Sequence, residues 1–271
     1  MEKIKILKYQ DANTNSKFLI PAQQIILMIQ LDEKTLKIDL PQGSCTCHYA
    51  EPSTFDDLFD SSRWQEPMFV TQTVAHQRVI FNLRKVEMIS LQSNQIYFAY
   101  TDSFILLSSP ERDRLLTALR PVVGTQLLIT ASFGLNLTEL AGLSLDQKQG
   151  NFWTAWKHND LIIEGQIEAD KLPQVINSLN PVSFPLITVT STDQKQIIFA
   201  QDCLSTIVGM EVAPHKYRIA FFLNAVPFLN EFFQGKKGKV PNHSNPYCIW
   251  AQPQDLKKIR QTFTNFRKDE D

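Results

Sequence analysis

The chain has 271 residues, of which 43% are hydrophobic and 20% charged, with a formal net charge of −1 and a pI near 6.5. That length accommodates two domains, the composition excludes wholesale disorder, and the charge balance excludes the whole-protein basic field typical of polyanion binders. Four cysteines do not make the disulfide framework of a small secreted domain, the N-terminus lacks a signal-like apolar run, and no stretch reaches the roughly 18 apolar residues of a membrane span, so a soluble cytoplasmic protein is expected.

In chain order, short β-branched and aromatic runs fill the first 107 residues: KFLIPA, QQIILMIQL, TLKIDL, SCTCHY, PMFVTQTV, RVIFNL, QIYFAY and SFILLSS. Asp, Gly, Pro, Ser and Asn separate them, the punctuation of an antiparallel sheet. A short helix is expected at FDDLFD, where Phe55, Leu58 and Phe59 share one face behind the capping run Glu51-Pro52-Ser53-Thr54. A second, ERDRLLTAL, follows Ser109-Pro110.

The stretch 121–150 reads as a packed connector with a short helix at NLTELAGLSLDQ. Beyond it, NDLIIEGQIEA, PLITVTS, KQIIFAQ, KYRIAFFL and YCIWAQ read as strands, and DKLPQVINSL, FLNEFF and DLKKIRQTFTNF as helices. The expected class is therefore mainly β with a few short helices (α+β): a β module at 1–120, the connector at 121–150, and a second β-rich module at 151–271. A weak internal repeat recurs at a spacing of 178 residues, setting Lys17–Ile26 against Lys195–Leu204 with Ile29 against Ile207. It suggests that the second module is a degenerate copy of the first.

Catalytic motifs are missing. Cys45-Thr46-Cys47-His48 fits no common zinc spacing and reads as small side chains on a sheet. The histidines at 48, 76, 158, 215 and 243 form no H-x-x-x-H or H-E-x-x-H pair. Neither a nucleophile elbow nor a phosphate-binding glycine loop occurs. No enzyme activity, metal or cofactor is expected. Gly235-Lys236-Lys237-Gly238-Lys239 is a basic loop that could touch phosphates or simply be solvated, and positions 185–271 hold eleven Lys plus Arg against eight acidic residues. Positions 14–120 hold ten against twelve.

Phe69, His76, Ile80, Asn82, Val86 and Ile89 follow the order of a signature roughly F-x-R-x-H-x-S-[FY]-x-V-N-x-x-x-I-x-x-I. With the preceding strand Phe18 to Ile25, the helix Phe55 to Phe59 and the hairpin QIYFAYTDSFILLSS, residues 17–116 resemble the DNA-binding LytTR domain of bacterial transcription regulators. Arg78 replaces the family serine, Pro110-Glu111 stands where a base-contacting arginine is usual, and Arg112 falls one position late. The resemblance implies a β-stranded module that reads duplex DNA from loops, with contacts from Gln24 or nearby loop residues, His76, Gln77, Arg78 and Arg112, and with Asn82 bracing a turn; Arg84 and Lys85 would extend the positive strip, and Lys236, Lys237 and Lys239 of the basic loop are separate candidates for phosphate contact. It implies a positive strip and a signal arriving from a regulatory protein partner or a small ligand. The competing expectation is a protein-interaction or assembly factor on the same scaffold without DNA contacts. Glu111 and the acidic balance of the first half favour that reading, with Trp64, Trp153 and Trp156 as partner anchors.

Overall fold

Alternation and turn chemistry produce a mainly antiparallel β protein. The computed structural model describes residues 3–11, 13–14, 16–48, 56–124, 127–158, 162–167, 186–190, 194–200, 203–223, 248–257, 259 and 261. The chain divides into two compact units, Met1–Glu139 and Leu140–Asp271. Among the described residues, no helix is long and apolar enough to cross a membrane.

The first unit contains β1 (Ile6–Asp11), β2 (Lys17–Pro21), β3 (Leu27–Gln30), β4 (Thr35–Leu40), β5 (Gly43–His48), β6 (Met68–Gln72), β7 (Arg78–Asn82), β8 (Val86–Ser90), β9 (Gln95–Phe98), β10 (Phe104–Leu106), helix α1 (Ser109–Val123), β11 (Leu127–Ile129) and β12 (Phe133–Asn136). They form two sheets, in the orders β2-β1-β5-β4-β3-β7-β6 and β10-β9-β8-β12-β11. Phe81 lies between Phe69 and Phe98, with ring centroids 5.4 and 5.1 Å away, at the centre of a core that Leu115 and Leu119 of α1 complete. Those two leucines and Val123 recur every four residues on the buried face of α1, and the helix ends at Gly124, whose φ of 60° and ψ of −133° make a backbone conformation that residues with a Cβ rarely adopt.

The second unit contains β13 (Leu140–Asp146), β14 (Asn151–Trp156), β15 (Ile162–Gln166), β16 (Leu186–Thr190), β17 (Lys195–Ala200), β18 (Leu204–Ala213), β19 (Lys216–Leu223) and β20 (Cys248–Ala251). Their sheet orders are β15-β14-β13-β17-β16 and β18-β19-β20.

One arrangement recurs. A hairpin ends at a corner residue (Pro21, Asn82, Asn136, Ala200), and the chain then enters a new three-strand meander. A 3-10 turn follows the first three corners, at Ala22–Gln24, Leu83–Lys85 and Leu137–Glu139. Each corner pairs with the first residue of its hairpin: Pro21 with Ile6, Asn82 with Met68, Asn136 with Leu127, Ala200 with Leu186. The second strand of each later hairpin then joins the first strand of the preceding meander in one register. Phe81 and Ile80 face Leu27 and Met28; Leu135 and Gly134 face Met88 and Ile89; Phe199 and Ile198 face Gly142 and Leu143. Even the bulges coincide, with register shifts at Val86/Met88, Leu140/Gly142 and Leu204/Thr206.

This recurrence re-phases the repeat seen in the sequence. Lys17–Ile26 and Lys195–Leu204 are strand-and-turn segments of the first and fourth copies, and two further copies lie between them. Residues 121–150 likewise differ from the expected connector: they hold the end of α1 and strands β11, β12 and β13. NLTELAGLSLDQ is a 3-10 turn and a strand, because Leu140 to Leu145 are buried on both faces and a doubly buried strand reads as a continuous apolar run. The expected helices DKLPQVINSL and FLNEFF lie outside the described residues. FDDLFD is helical at 56–58, and the last helix is present at 253–257.

Candidate interaction surface

The β6–β7 hairpin and the turn after it carry five of the ten residues singled out in the sequence, His76, Gln77, Arg78, Arg84 and Lys85, spread over its two ends. At the tip, His76 is exposed with φ of 60°, its N–H donating to the Thr73 carbonyl at 2.9 Å. The Thr73 N–H donates to the Gln77 carbonyl at 3.0 Å, and Gln77 is exposed. Arg84 and Lys85 sit past the other end, five residues of strand away, which is about 16 Å. Gln24 closes a different turn, Ala22–Gln24, and is half-buried. Lys236, Lys237 and Lys239 lie outside the described residues.

Acidic neighbours meet the arginines. Arg78 donates to Asp56 at 2.8 Å and stacks 4.6 Å above the Phe59 ring. Arg112 donates through Nη1 to the Leu91 carbonyl at 2.8 Å and to Asn94 Oδ1 at 2.6 Å, while its Nε and Nη2 bind Asp113. That geometry fastens the β8–β9 turn to α1, which makes Arg112 a structural clamp. Arg114 binds Glu111 and the Val70 carbonyl and covers the Phe69 ring. Glu111 also accepts a hydrogen bond from Thr71 Oγ1. The Thr71 hydroxyl first, and Arg114 second, hold the Glu111 carboxyl below its ordinary pKa. Arg84 is 3.7 Å from Glu66 and Lys85 lies 4.8 Å above the Tyr100 ring. The residues expected to form one positive strip are therefore divided between separate places, and its three arginines, Arg78, Arg84 and Arg112, all have carboxylate partners. Asn82 is buried, and its Oδ1 accepts from the Arg84 N–H at 3.0 Å, a turn brace.

Cys45 and Cys47 offer little chemistry. Burial pushes the Cys47 thiol up to about 12 and raises that of Cys45, so both stay protonated at neutral pH. Among the described residues, no three His, Cys, Asp or Glu side chains gather as a metal set.

Tryptophan anchors are ruled out at two of three positions. Trp64 and Trp156 are fully buried, and Trp64 Nε1 donates to the Leu58 carbonyl at 2.9 Å. Trp153 is half-buried, its Nε1 donating to Glu164.

Sequence reasoning missed the apolar sheet edges. Among the described residues eight large apolar side chains are exposed, and five of them lie on edge strands: Phe18 and Leu19 on β2, Phe104 and Leu106 on β10, and Ile129 on β11. Val74 extends the β10 patch, since its N–H donates to the Leu106 carbonyl at 3.0 Å. Edge strands present unpaired backbone groups, and native proteins usually blunt them with charge; here the edges carry Phe, Leu and Ile. The signal lay in the alternation of KFLIP and SFILLS, but a sequence does not say which strands end a sheet.

No protein-family model matches the chain, and no curated protein matches it.

Proposed function

We propose that the chain is a non-enzymatic protein-interaction module that takes its partners by strand addition at the apolar edges of its sheets. The concentration of exposed large apolar side chains on β2, β10 and β11 carries this reading. An added strand gains main-chain hydrogen bonds from such an edge, most fully along β2, since Val74 already takes the Leu106 carbonyl of β10, and Phe18, Leu19, Phe104 and Leu106 supply contact area. The hairpin, corner and meander that recur four times also support a scaffold of tandem related units, the kind that repeats a binding surface.

A second reading keeps the LytTR-like expectation of duplex DNA bound from the β6–β7 tip, because His76 and Gln77 are exposed there. The pairing of Arg78, Arg112 and Arg114 with carboxylates weighs against it, since phosphate binding draws on unneutralised cations. The two readings separate in a salt series with labelled duplex DNA. The interaction reading expects only weak binding without saturation at low salt, identical in His76→Ala. Saturable binding that His76→Ala abolishes would replace it with the DNA reading.

A further inference from the structure

We infer that the chain assembles head to tail with further copies of itself, the β2 edge of one copy joining the β18 edge of the next. This rests on the interaction reading and names its partner.

At three junctions the second strand of a hairpin (β7, β12, β17) lies against the first strand of a meander (β3, β8, β13), and residues one and two before the corner pair with residues six and seven after the preceding corner. Two strands of the same series lack that neighbour among the described residues: β2, which follows the hairpin pattern but pairs with β1 only, and β18, which opens a meander but pairs with β19 only. One is the missing half of the other. Carrying the register across sets Ile20 opposite Thr206, Leu19 opposite Ile207 and Phe18 opposite Val208 of the neighbouring copy.

Backbone direction agrees. Ala22 N–H donates to the Lys5 carbonyl at 2.8 Å and Asp11 N–H to the Ser16 carbonyl at 2.9 Å, so the even-numbered peptide groups of this hairpin face β1. Period two then turns the peptide groups of Lys17 and Leu19 to the open side. At the corresponding β7 corner, the Asn82 N–H donates across the junction to the Ile26 carbonyl at 3.0 Å, the same phase relative to the corner. Leu19 is 65% and Phe18 45% exposed, apolar surface that the junction would cover. An interface between two different patches does not close on itself as a two-fold dimer does, so the expected products are open chains or rings of more than one size.

The test uses the full chain in light scattering behind size exclusion across a hundredfold concentration range. Wild type is expected to grow in mass with concentration, and Leu19→Lys, folded with an unchanged melting temperature, to need at least about tenfold more protein for the same mass, as edge lysines oppose strand pairing. Mixed Leu19→Cys and Ile207→Cys proteins are expected to form the 19–207 disulfide, because paired residues in a ladder lie within bridging distance. A wild type that stays monomeric throughout overturns the inference, as does an oligomer that Leu19→Lys leaves intact and in which no 19–207 bridge forms. If the monomer still gives covalent adducts with other proteins from a photo-crosslinker at Phe104, self-assembly falls while the interaction reading stands.

Discussion

Asn82 and Asn136 do the same work 54 residues apart: each side-chain Oδ1 accepts from the backbone N–H two positions on, Arg84 at 3.0 Å and Thr138 at 3.2 Å, and so braces the turn that follows its hairpin. Asn136 does more, since its Nδ2 donates to the Val86 carbonyl at 2.8 Å. Asn136→Ala therefore leaves a buried carbonyl unsatisfied besides opening the turn. Urea denaturation should give a loss of about 2–3 kcal/mol for Asn136→Ala and about 1 kcal/mol for Asn82→Ala. Equal losses would show that the second hydrogen bond contributes nothing.

Gly124 and Gly150 separate backbone strain from crowding. Both have positive φ, 60° and 73°, but a Cβ at Gly124 meets open space whereas one at Gly150 falls 2.1 Å from the Ile167 carbonyl oxygen. Gly124→Ala should cost at least about 1 kcal/mol, the strain of a positive-φ conformation outside the left-handed helical well. Gly150→Ala must also displace backbone and should cost more than about 2 kcal/mol, read as a larger drop in melting temperature.

Glu111 predicts a pH dependence. Its folded pKa lies below the unfolded value, held there by the Thr71 hydroxyl and Arg114, so its contribution is fully present above the unfolded pKa and is lost as pH falls through the folded one. Glu111→Gln should unfold at lower urea than wild type at pH 7, and the gap should close between about pH 4.5 and the acid limit. A gap independent of pH would assign the effect to packing.

The arginines divide by role. Arg112, with its side chain 17% exposed and bonded to Leu91, Asn94 and Asp113, should cost about 1–3 kcal/mol when changed to Ala. Arg84, 67% exposed and 3.7 Å from Glu66, should cost less than about 0.5 kcal/mol. Urea midpoints measured side by side distinguish them, and equal values would remove Arg112 from its structural role.

Much of the strand pattern was legible because KFLIP, TLKIDL and RVIFN carry β-branched and aromatic residues between turn formers. α1 was legible from Ser109-Pro110 and its four-residue leucine spacing. The corners were half-legible: Asn82 announces a turn, whereas Pro21 and Ala200 carry no side chain of that kind, so the four copies share geometry with little shared sequence and only the first and fourth stood out. LAGLSLD was misread because glycine and leucine at helical spacing also suit a strand buried on both faces. The charge state of the site was illegible for a longer-range reason. Asp56 reaches Arg78 and Glu111 reaches Thr71 across 22 and 40 residues of chain, contacts that only the folded sheet creates.

Strand addition at the apolar sheet edges is tested most directly by placing a photo-crosslinking amino acid at Leu19, Phe104 or His76 and irradiating the producing cells. Strand addition predicts covalent protein adducts from positions 19 and 104, and no nucleic-acid adduct from position 76. Nucleic-acid adducts from position 76, with positions 19 and 104 unreacted, would contradict it.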